Sequence, residues 1–528
     1  MGNKYLLDCT LRDGGYLNDW NFGHDNLVSV FERVTDAGID FIEIGFLDDR
    51  RIFDMNRSIM PNSDCVREIY GKLDKKNTKV IGMIDFGTCK IENITPQKES
   101  YLDGIRVIFK KHLRKDALEF CKELKDLGYM VFAQLVSVTS YSDEEMMDLI
   151  KLANDVKPYA VSMVDTYGLM HQNNLMHYFE LLNNNLDENI GLGYHGHNNF
   201  QMGYANCITM LSNNVKRDLV VDGSIYGMGK SAGNAPLELI AMHMNKNLNK
   251  NYDVSHILEA IDSNISQFYN PASWGYNMYF YLAASNDCHP SYVGYLMDKK
   301  TLSIKSINEV LSKLEGEKKL LYDQKYIEEL YVSYQNNEVN DEIDYKELSV
   351  LLKSREILIL GPGNSINDEK EKINNYIKEN KPLIISVNYI SSYNQDYIFL
   401  TNSKRYVQLA TALSQEKHKI IATSNVTKTG NNSFDYILNY GNLIDTKTDI
   451  IDNSLAMIIR MLMKVGCKKV TLAGFDGYSI EKANYIDEIM EYSFIKQKHE
   501  YLNNYMKQFI RSNKDKINFI FLTKTLYN

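Results

Sequence analysis

Asp8-Cys9-Thr10-Leu11-Arg12-Asp13-Gly14-Gly15-Tyr16 follows a short apolar run, Tyr5-Leu6-Leu7, near the start of the chain. The run reads as a first strand, and an arginine, an acid and two glycines stand at its end. Glycine lets a backbone turn sharply or approach a ligand closely. Arginine suits planar carboxylates, and aspartate suits a hard divalent cation. Taken alone, the stretch also reads as a strand-end turn with a structural Arg12–Asp13 contact.

Working outward, short apolar runs alternate with longer helical stretches up to about residue 245. The runs are 5–8, 41–44, 80–84, 104–108, 130–135, 160–164, 191–194 and 219–221. They are rich in β-formers and bounded by turn signals, as strands buried on both faces should be. Eight strand–helix repeats in about 250 residues predict a parallel (β/α)8 barrel. In such a barrel chemistry sits at the C-terminal ends of the strands. Polar residues fall there one run after another: Asp13, Glu43, Asp85, Arg106 within the fourth run, Gln134, Asp165, His195 with His197, and Asp222. Each is individually explicable as a hydrogen-bonded structural group; their recurrence at one rim is not.

The seventh run ends Gly193-Tyr194-His195-Gly196-His197-Asn198-Asn199. Histidines at i and i+2 on a strand face the same way, so two imidazoles are presented together. A carboxylate from elsewhere completes a three-ligand metal site with open positions.

The Asp-x-Thr-Leu-Arg-Asp-Gly run from Asp8 to Gly14, Ile42-Glu43-Ile44-Gly45, His195-Gly196-His197-Asn198-Asn199, and Gly227-Met228-Gly229 through Gly233-Asn234-Ala235 together resemble the DRE-TIM metallolyases. That superfamily includes 4-hydroxy-2-oxovalerate aldolase, 3-hydroxy-3-methylglutaryl-CoA lyase, and the isopropylmalate and homocitrate synthases. Order and spacing match along the first half of the chain. The resemblance implies carbon–carbon bond formation or cleavage through the enolate of a 2-oxo acid such as pyruvate, with an aldehyde as partner. It implies a divalent metal on Asp13, His195 and His197, Mn²⁺ or Mg²⁺ first, with Zn²⁺ or Co²⁺ tolerated by mixed N/O ligands. Arg12 would stabilise the enolate oxygen and Glu43 would orient Arg12. Gln134, Asp165, Asn199 and Asn234 are the candidate substrate contacts.

The chain departs from the family just after this core. The pyruvate aldolases it resembles carry a histidine two residues after the glycine of Arg-Asp-Gly, and the acetyl-CoA-condensing enzymes carry Glu-Gln; this chain has Gly15-Tyr16. The proton-transfer group is therefore open, with Tyr16 and His289 as candidates.

Domain organisation is expected as a barrel over 1–250, a helical extension over 251–300, a helical connector over 301–352 and a Rossmann-like α/β domain over 353–528. The extension holds Phe268, Tyr269, Trp274, Tyr276, Tyr279, Phe280 and Tyr281, read as a packing layer. In related aldolases such a region closes over the site and supplies a tyrosine, which makes His289 and Tyr292 candidates. The last domain opens with Ile357-Leu358-Ile359-Leu360-Gly361-Pro362-Gly363-Asn364-Ser365, a strand running into a glycine turn that would seat a phosphate at a helix N-terminus. It resembles, loosely, sialyltransferase-like and motility-accessory glycosyltransferase domains, with Gly361 to Ser365, Asn388, and Gly474 and Asp476 as the matching positions. A nucleotide or nucleotide-sugar site over Gly361, Gly363, Asn364, Ser365, Asn388, Gly474 and Asp476 is the expectation, and a docking domain the alternative.

At 528 residues, two or three domains are expected. A net charge of −9 argues against a general nucleic-acid binder. No apolar run approaches membrane-spanning length, and the first strand begins too early for a signal peptide. Seven dispersed cysteines without a Cys-x-x-Cys pair suggest reduced thiols in a cytoplasm. A homo-oligomer stays open. The function expected first is a metal-dependent aldolase. The alternatives are a bifunctional sugar-nucleotide or glycan-biosynthesis enzyme and an acyl-CoA-dependent Claisen-type acyltransferase.

Overall fold

The first sheet is built from β1 (Lys4–Asp8), β2 (Phe41–Leu47), β3 (Ile59–Met60), β4 (Lys79–Asp85), β5 (Gly104–Phe109), β6 (Met130–Leu135), β7 (Ala160–Asp165), β8 (Gly191–Gly196) and β9 (Leu219–Gly223). A computed structural model describes all residues except 272, 300, 320, 416, 417, 427–433, 449, 482 and 487–492. Strand order is β1-β9-β8-β7-β6-β5-β4-β2, and β1 also pairs with β2, so eight parallel strands close on themselves. The short β3, which the apolar pattern does not signal, pairs with the end of β2 at Phe46 and Leu47. The expected (β/α)8 barrel is thus the observed one.

The flanking helices follow from local sequence. His24–Asp36 buries Leu27, Val30, Phe31 and Val34, spaced to line one face. Asp143–Val156 begins with a capping box in which Ser142 and Glu145 satisfy each other's backbone N–H groups. Inside the barrel, Leu7, Phe41, Ile81, Phe132, Ala160 and Val220 form an apolar floor. That floor leaves the other end of the barrel to polar side chains. Helices Val254–Ala260 and Met278–Ser285 follow the barrel. Tyr226, Tyr269 and Trp274 cluster there with ring centroids 5.2 to 5.9 Å apart, Trp274 standing edge to face with both tyrosines, while Tyr276 and Tyr281 of the aromatic run are exposed.

The chain divides into two compact units, Met1–Pro290 and Ser291–Asn528. In the second, β10 (Ile357–Leu360), β11 (Leu383–Val387), β12 (Tyr397–Leu400), β13 (Ile420–Thr423), β14 (Tyr436–Leu438), β15 (Lys469–Ala473) and β16 (Asn518–Phe521) form a parallel sheet of order β14-β13-β12-β11-β10-β15-β16. The order reverses between β10 and β15, the place where doubly wound sheets bind ligands beyond the strand ends. Helix Glu342–Leu352 buries Tyr345, Leu348 and Leu352 in this unit's core, so the helical stretch after 301 is built into it. No helix among the described residues is long and apolar enough to cross a membrane.

Candidate active site

The polar end of the barrel is one connected buried network. β1 runs into a single helical turn, Thr10–Asp13, and then a 3-10 turn, Gly14–Leu17. Arg12 and Asp13 both sit on the first turn, 3% and 1% exposed. Arg12 Nε donates to Glu43 Oε2 at 2.8 Å, and its Nη1 donates to Asp13 Oδ1 at 2.8 Å. Glu43 therefore does face Arg12. From β5, Arg106 places Nη1 3.2 Å from the same Glu43 oxygen and Nη2 2.5 Å from Asp222 Oδ2. From β9, Asp222 Oδ2 also lies 2.9 Å from His195 Nδ1.

This chain of contacts fixes the histidines. A carboxylate only accepts, so His195 carries its proton on Nδ1 and its lone pair on Nε2, which lies 4.0 Å from Asp13 Oδ2. A metal-binding imidazole is oriented in the same way by a carboxylate on its other nitrogen. His197 Nδ1 donates to the Lys230 carbonyl at 3.1 Å. Burial depresses its pKa to about 3 against the pull of Asp13, so it is neutral and fit to ligate. For Asp13, burial pushes the carboxyl up, but Arg12, both histidines and the Asn234 hydrogen bond hold it well below the usual range. Ligand atoms of Asp13, His195 and His197 all lie within 4.8 Å of one another. One ionised carboxylate and two imidazoles fit a divalent metal, and two guanidinium groups in the network face three carboxylates.

Several buried polar atoms in this site lack a hydrogen-bond partner, Glu43 Oε1 and Arg106 Nε among them, and two lie on asparagines beside the Asp13–His195–His197 set. Asn234 donates to Asp13 Oδ2 at 2.6 Å, but its Oδ1 is unpaired. Asn199 accepts from the Ala232 amide at 3.1 Å, but its Nδ2 is unpaired. Buried polar atoms of this kind are costly unless something else satisfies them. Gly229 lets the loop 227–235 come this close: a Cβ there would lie 2.3 Å from Asn234 Nδ2 and 2.8 Å from Asp13 Oδ2.

The other expected contacts are differently employed. Gln134 accepts from Arg106 and donates to Ser162 Oγ, both within 3 Å, which places it inside the barrel network. Asp165 accepts the Leu169 and Met170 amides, and burial raises its pKa to about 6. It closes the turn after β7. Tyr16 is 43% exposed and packs edge-on to Trp20 with centroids 4.9 Å apart. Burial around its hydroxyl pushes the phenol up to about 12, with Arg12 opposing. His289 is half-buried; burial lowers its pKa and nearby Lys230 lowers it further. Tyr292 belongs to the second unit. It is fully buried, and its hydroxyl lies 2.7 and 2.8 Å from the carbonyls of Lys318 and Leu321 and accepts from the Asp323 amide.

Sequence reasoning missed Lys230. Its ammonium nitrogen lies 5.2 Å from the centre of the Tyr16 ring. Burial lowers its pKa, Asp13 and Asp85 oppose, and Arg12 adds to the lowering. The available signal was its place between the two glycine pieces of the loop 227–235.

The polar end of the closed parallel barrel thus joins an Arg–Asp pair to two oriented imidazoles. Residues 3–263 match the HMGL-like family model. The 4-hydroxy-2-oxovalerate aldolase of Marinomonas sp. (strain MWYL1) is 25% identical over 254 residues, 47% of this chain and 72% of that protein. The oxaloacetate decarboxylase of Mycobacterium tuberculosis (strain ATCC 25618 / H37Rv) is 26% identical over 275 residues, 49% of this chain and 76% of that one. A solved N-terminal domain of a candidate aldolase from Bacteroides vulgatus is 23% identical, covering 58% of this chain and 99% of that domain, with a TM-score of 0.48.

In the second unit the glycine loop behaves unlike a phosphate cradle. The amides of Gly361, Gly363 and Ser365 donate to Ala473 O, Gly474 O and Asp476 Oδ2 at 2.8 to 2.9 Å. Asn364 donates to the Ala483 carbonyl. The following helix is only Ser365–Asp368. The loop is spent on packing against the end of β15. A cavity of about 220 Å³ nevertheless lies at this switch point, lined among others by Gly363, Asn388, Gly474 and Asp476. Asn388 is left-handed at φ 59° and is tied to Thr401 and Ser454. The same cavity is lined by Arg405, Asn402 and Asn453, at the N-termini of helices Ser403–Gln415 and Ser454–Lys464.

Proposed function

We propose that the barrel is a divalent-metal-dependent aldolase acting on the enolate of a 2-oxo acid such as pyruvate, with an aldehyde as the second substrate. The observation that carries this reading is the pairing of Arg12 with a buried Asp13–His195–His197 set. Bound at those three residues, a divalent ion, Mn²⁺ or Mg²⁺ in the first instance, supplies Lewis-acid polarisation of the 2-oxo acid carbonyl. Arg12, held by Glu43 and Asp13, places a fixed positive charge where enolate oxygen develops. Asp222 and the Lys230 carbonyl fix the tautomer and the aim of the two imidazoles. The unpaired Asn199 Nδ2 and Asn234 Oδ1 offer a donor and an acceptor to substrate. Tyr16 and His289 are the proton-transfer candidates at the mouth. The two named relatives above bear the names of 2-oxo acids or their derivatives, which supports the substrate class. Seven dispersed cysteines without a Cys-x-x-Cys pair accord with a cytoplasmic setting. His195→Ala is expected to lose bound metal and carbon–carbon bond chemistry together; unchanged metal content per chain would reject the ligand set.

A second reading concerns the other unit. Its cavity at the β10/β15 reversal, with two helix N-termini and Arg405 on its lining, favours an anionic ligand such as a nucleotide or nucleotide-sugar. Calorimetry of the full chain across cytidine, uridine, guanosine and adenosine nucleotides tests it. Absence of heat with all of them, and of competition, would favour a docking role.

A further inference from the structure

We propose that Lys230 is the seat for an anionic group, carboxylate or phosphate, on the aldehyde substrate, so that the barrel selects acidic over neutral acceptors. This inference rests on the aldolase reading of the same site. The other cations of the polar end are spoken for. Arg12 is bound to Glu43 and Asp13, and Arg106 is bound to Glu43, Gln134 and Asp222. Lys230 differs. Among the described residues no carboxylate lies within ion-pair distance of its Nζ and no acceptor takes its protons, although the residue is partly buried. Its Nζ lies over the face of Tyr16, 5.2 Å from the ring centre. A partly buried ammonium without a carboxylate partner carries a desolvation cost that an incoming anion relieves.

Position assigns the anion to the aldehyde rather than to the 2-oxo acid. Asp13, His195, His197 and Arg12 lie on the buried floor of the site, all 4% exposed or less. They suffice to hold a 2-oxo acid's own carboxylate and keto oxygen. Lys230 stands farther out, over Tyr16, which is 43% exposed. Half-buried His289 is its neighbour. The second substrate enters across that edge. The chain as a whole carries a net charge of −9, so an acidic acceptor needs a local cation to dwell there.

The test uses the full-length, Mn²⁺-loaded protein without pyruvate. Calorimetry compares D-glyceraldehyde 3-phosphate with D-glyceraldehyde, and succinic semialdehyde with butanal, so the two pairs separate phosphate from carboxylate. The wild-type protein should prefer the anionic member of at least one pair roughly tenfold to a hundredfold, the worth of a charge-assisted hydrogen bond. Lys230→Met should erase that preference and Lys230→Arg should restore most of it, which shows that the Met variant has not simply misfolded. No preference in the wild-type protein, or a preference that survives in Lys230→Met, would overturn the proposal. Pyruvate proton exchange in the same preparation separates the two claims. Exchange without a Lys230-dependent preference rejects the seat alone. A Lys230-dependent preference without exchange rejects the aldolase reading and upholds the seat.

Discussion

Asp222→Asn isolates the part of the network that touches no substrate. Asn keeps the size and one accepting oxygen of Asp222 but removes its charge. In the native site that charge serves two partners, Arg106 Nη2 at 2.5 Å and His195 Nδ1 at 2.9 Å. Without it Arg106 retains only Glu43 as a counter-ion, at 3.2 Å. Breaking a buried pair from one side costs about 3–5 kcal/mol, and the retained acceptor puts the expectation at the lower end, about 3 kcal/mol. The imidazole also trades a charged acceptor for a neutral one shared with Arg106, which loosens its hold on the tautomer, so metal affinity should fall roughly tenfold to a hundredfold. Both Trp residues, Trp20 and Trp274, lie in the first unit, so tryptophan fluorescence during urea unfolding reports that unit by itself. Chelator competition gives the metal affinity. An Asp222→Asn protein with the native unfolding curve and native metal affinity would refute the orientation argument.

Three further outcomes follow from particular contacts. Gly229→Ala should cost most of the metal affinity, because its Cβ would fall 2.3 Å from Asn234 Nδ2 and 2.8 Å from Asp13 Oδ2; native metal content in that variant would count against the close approach. Burial raises the Asp8 pKa to about 7, so the folded state binds its proton more tightly than the unfolded state. The stability this proton contributes is complete below about pH 4 and is lost as pH rises toward 7, at about 1.4 kcal/mol per pH unit at most. Relative to wild type, Asp8→Asn should therefore gain stability over that window, and parallel pH–stability curves would contradict it. Tyr16→Phe and His289→Asn, assayed separately for pyruvate exchange, should single out the proton-transfer group as the one whose loss slows exchange roughly a hundredfold or more; native rates in both would exclude the pair.

Much of the site was legible because strand period and strand ends are written in the sequence. His195 and His197 share a face by spacing alone, and Asp13 stands just beyond a strand, so closing the barrel brings them together. Glu43, Arg106 and Asp222 were visible as polar residues at the ends of apolar runs, but not as one ion-paired chain, because pairing depends on which strands become neighbours. Lys230 was hidden because a loop has no period to say where its side chain points. The loop 361–365 misled for a related reason: its amides are consumed by Ala473, Gly474 and Asp476, which lie more than a hundred residues away. Tyr292 looked like a catalytic phenol beside His289, yet its hydroxyl is bound to backbone at Lys318, Leu321 and Asp323.

The central claim is that Arg12 and the Asp13–His195–His197 set exist to stabilise an enolate. Methyl-proton exchange of pyruvate in D₂O, followed by NMR with Mn²⁺ and no aldehyde, tests it without knowledge of the second substrate. Arg12→Lys keeps the charge but loses the planar fork that bridges Glu43 and Asp13. The account predicts exchange that requires metal and falls sharply in Arg12→Lys while metal content stays native. Absence of exchange with pyruvate and other short 2-oxo acids, or exchange indifferent to Arg12, would contradict it.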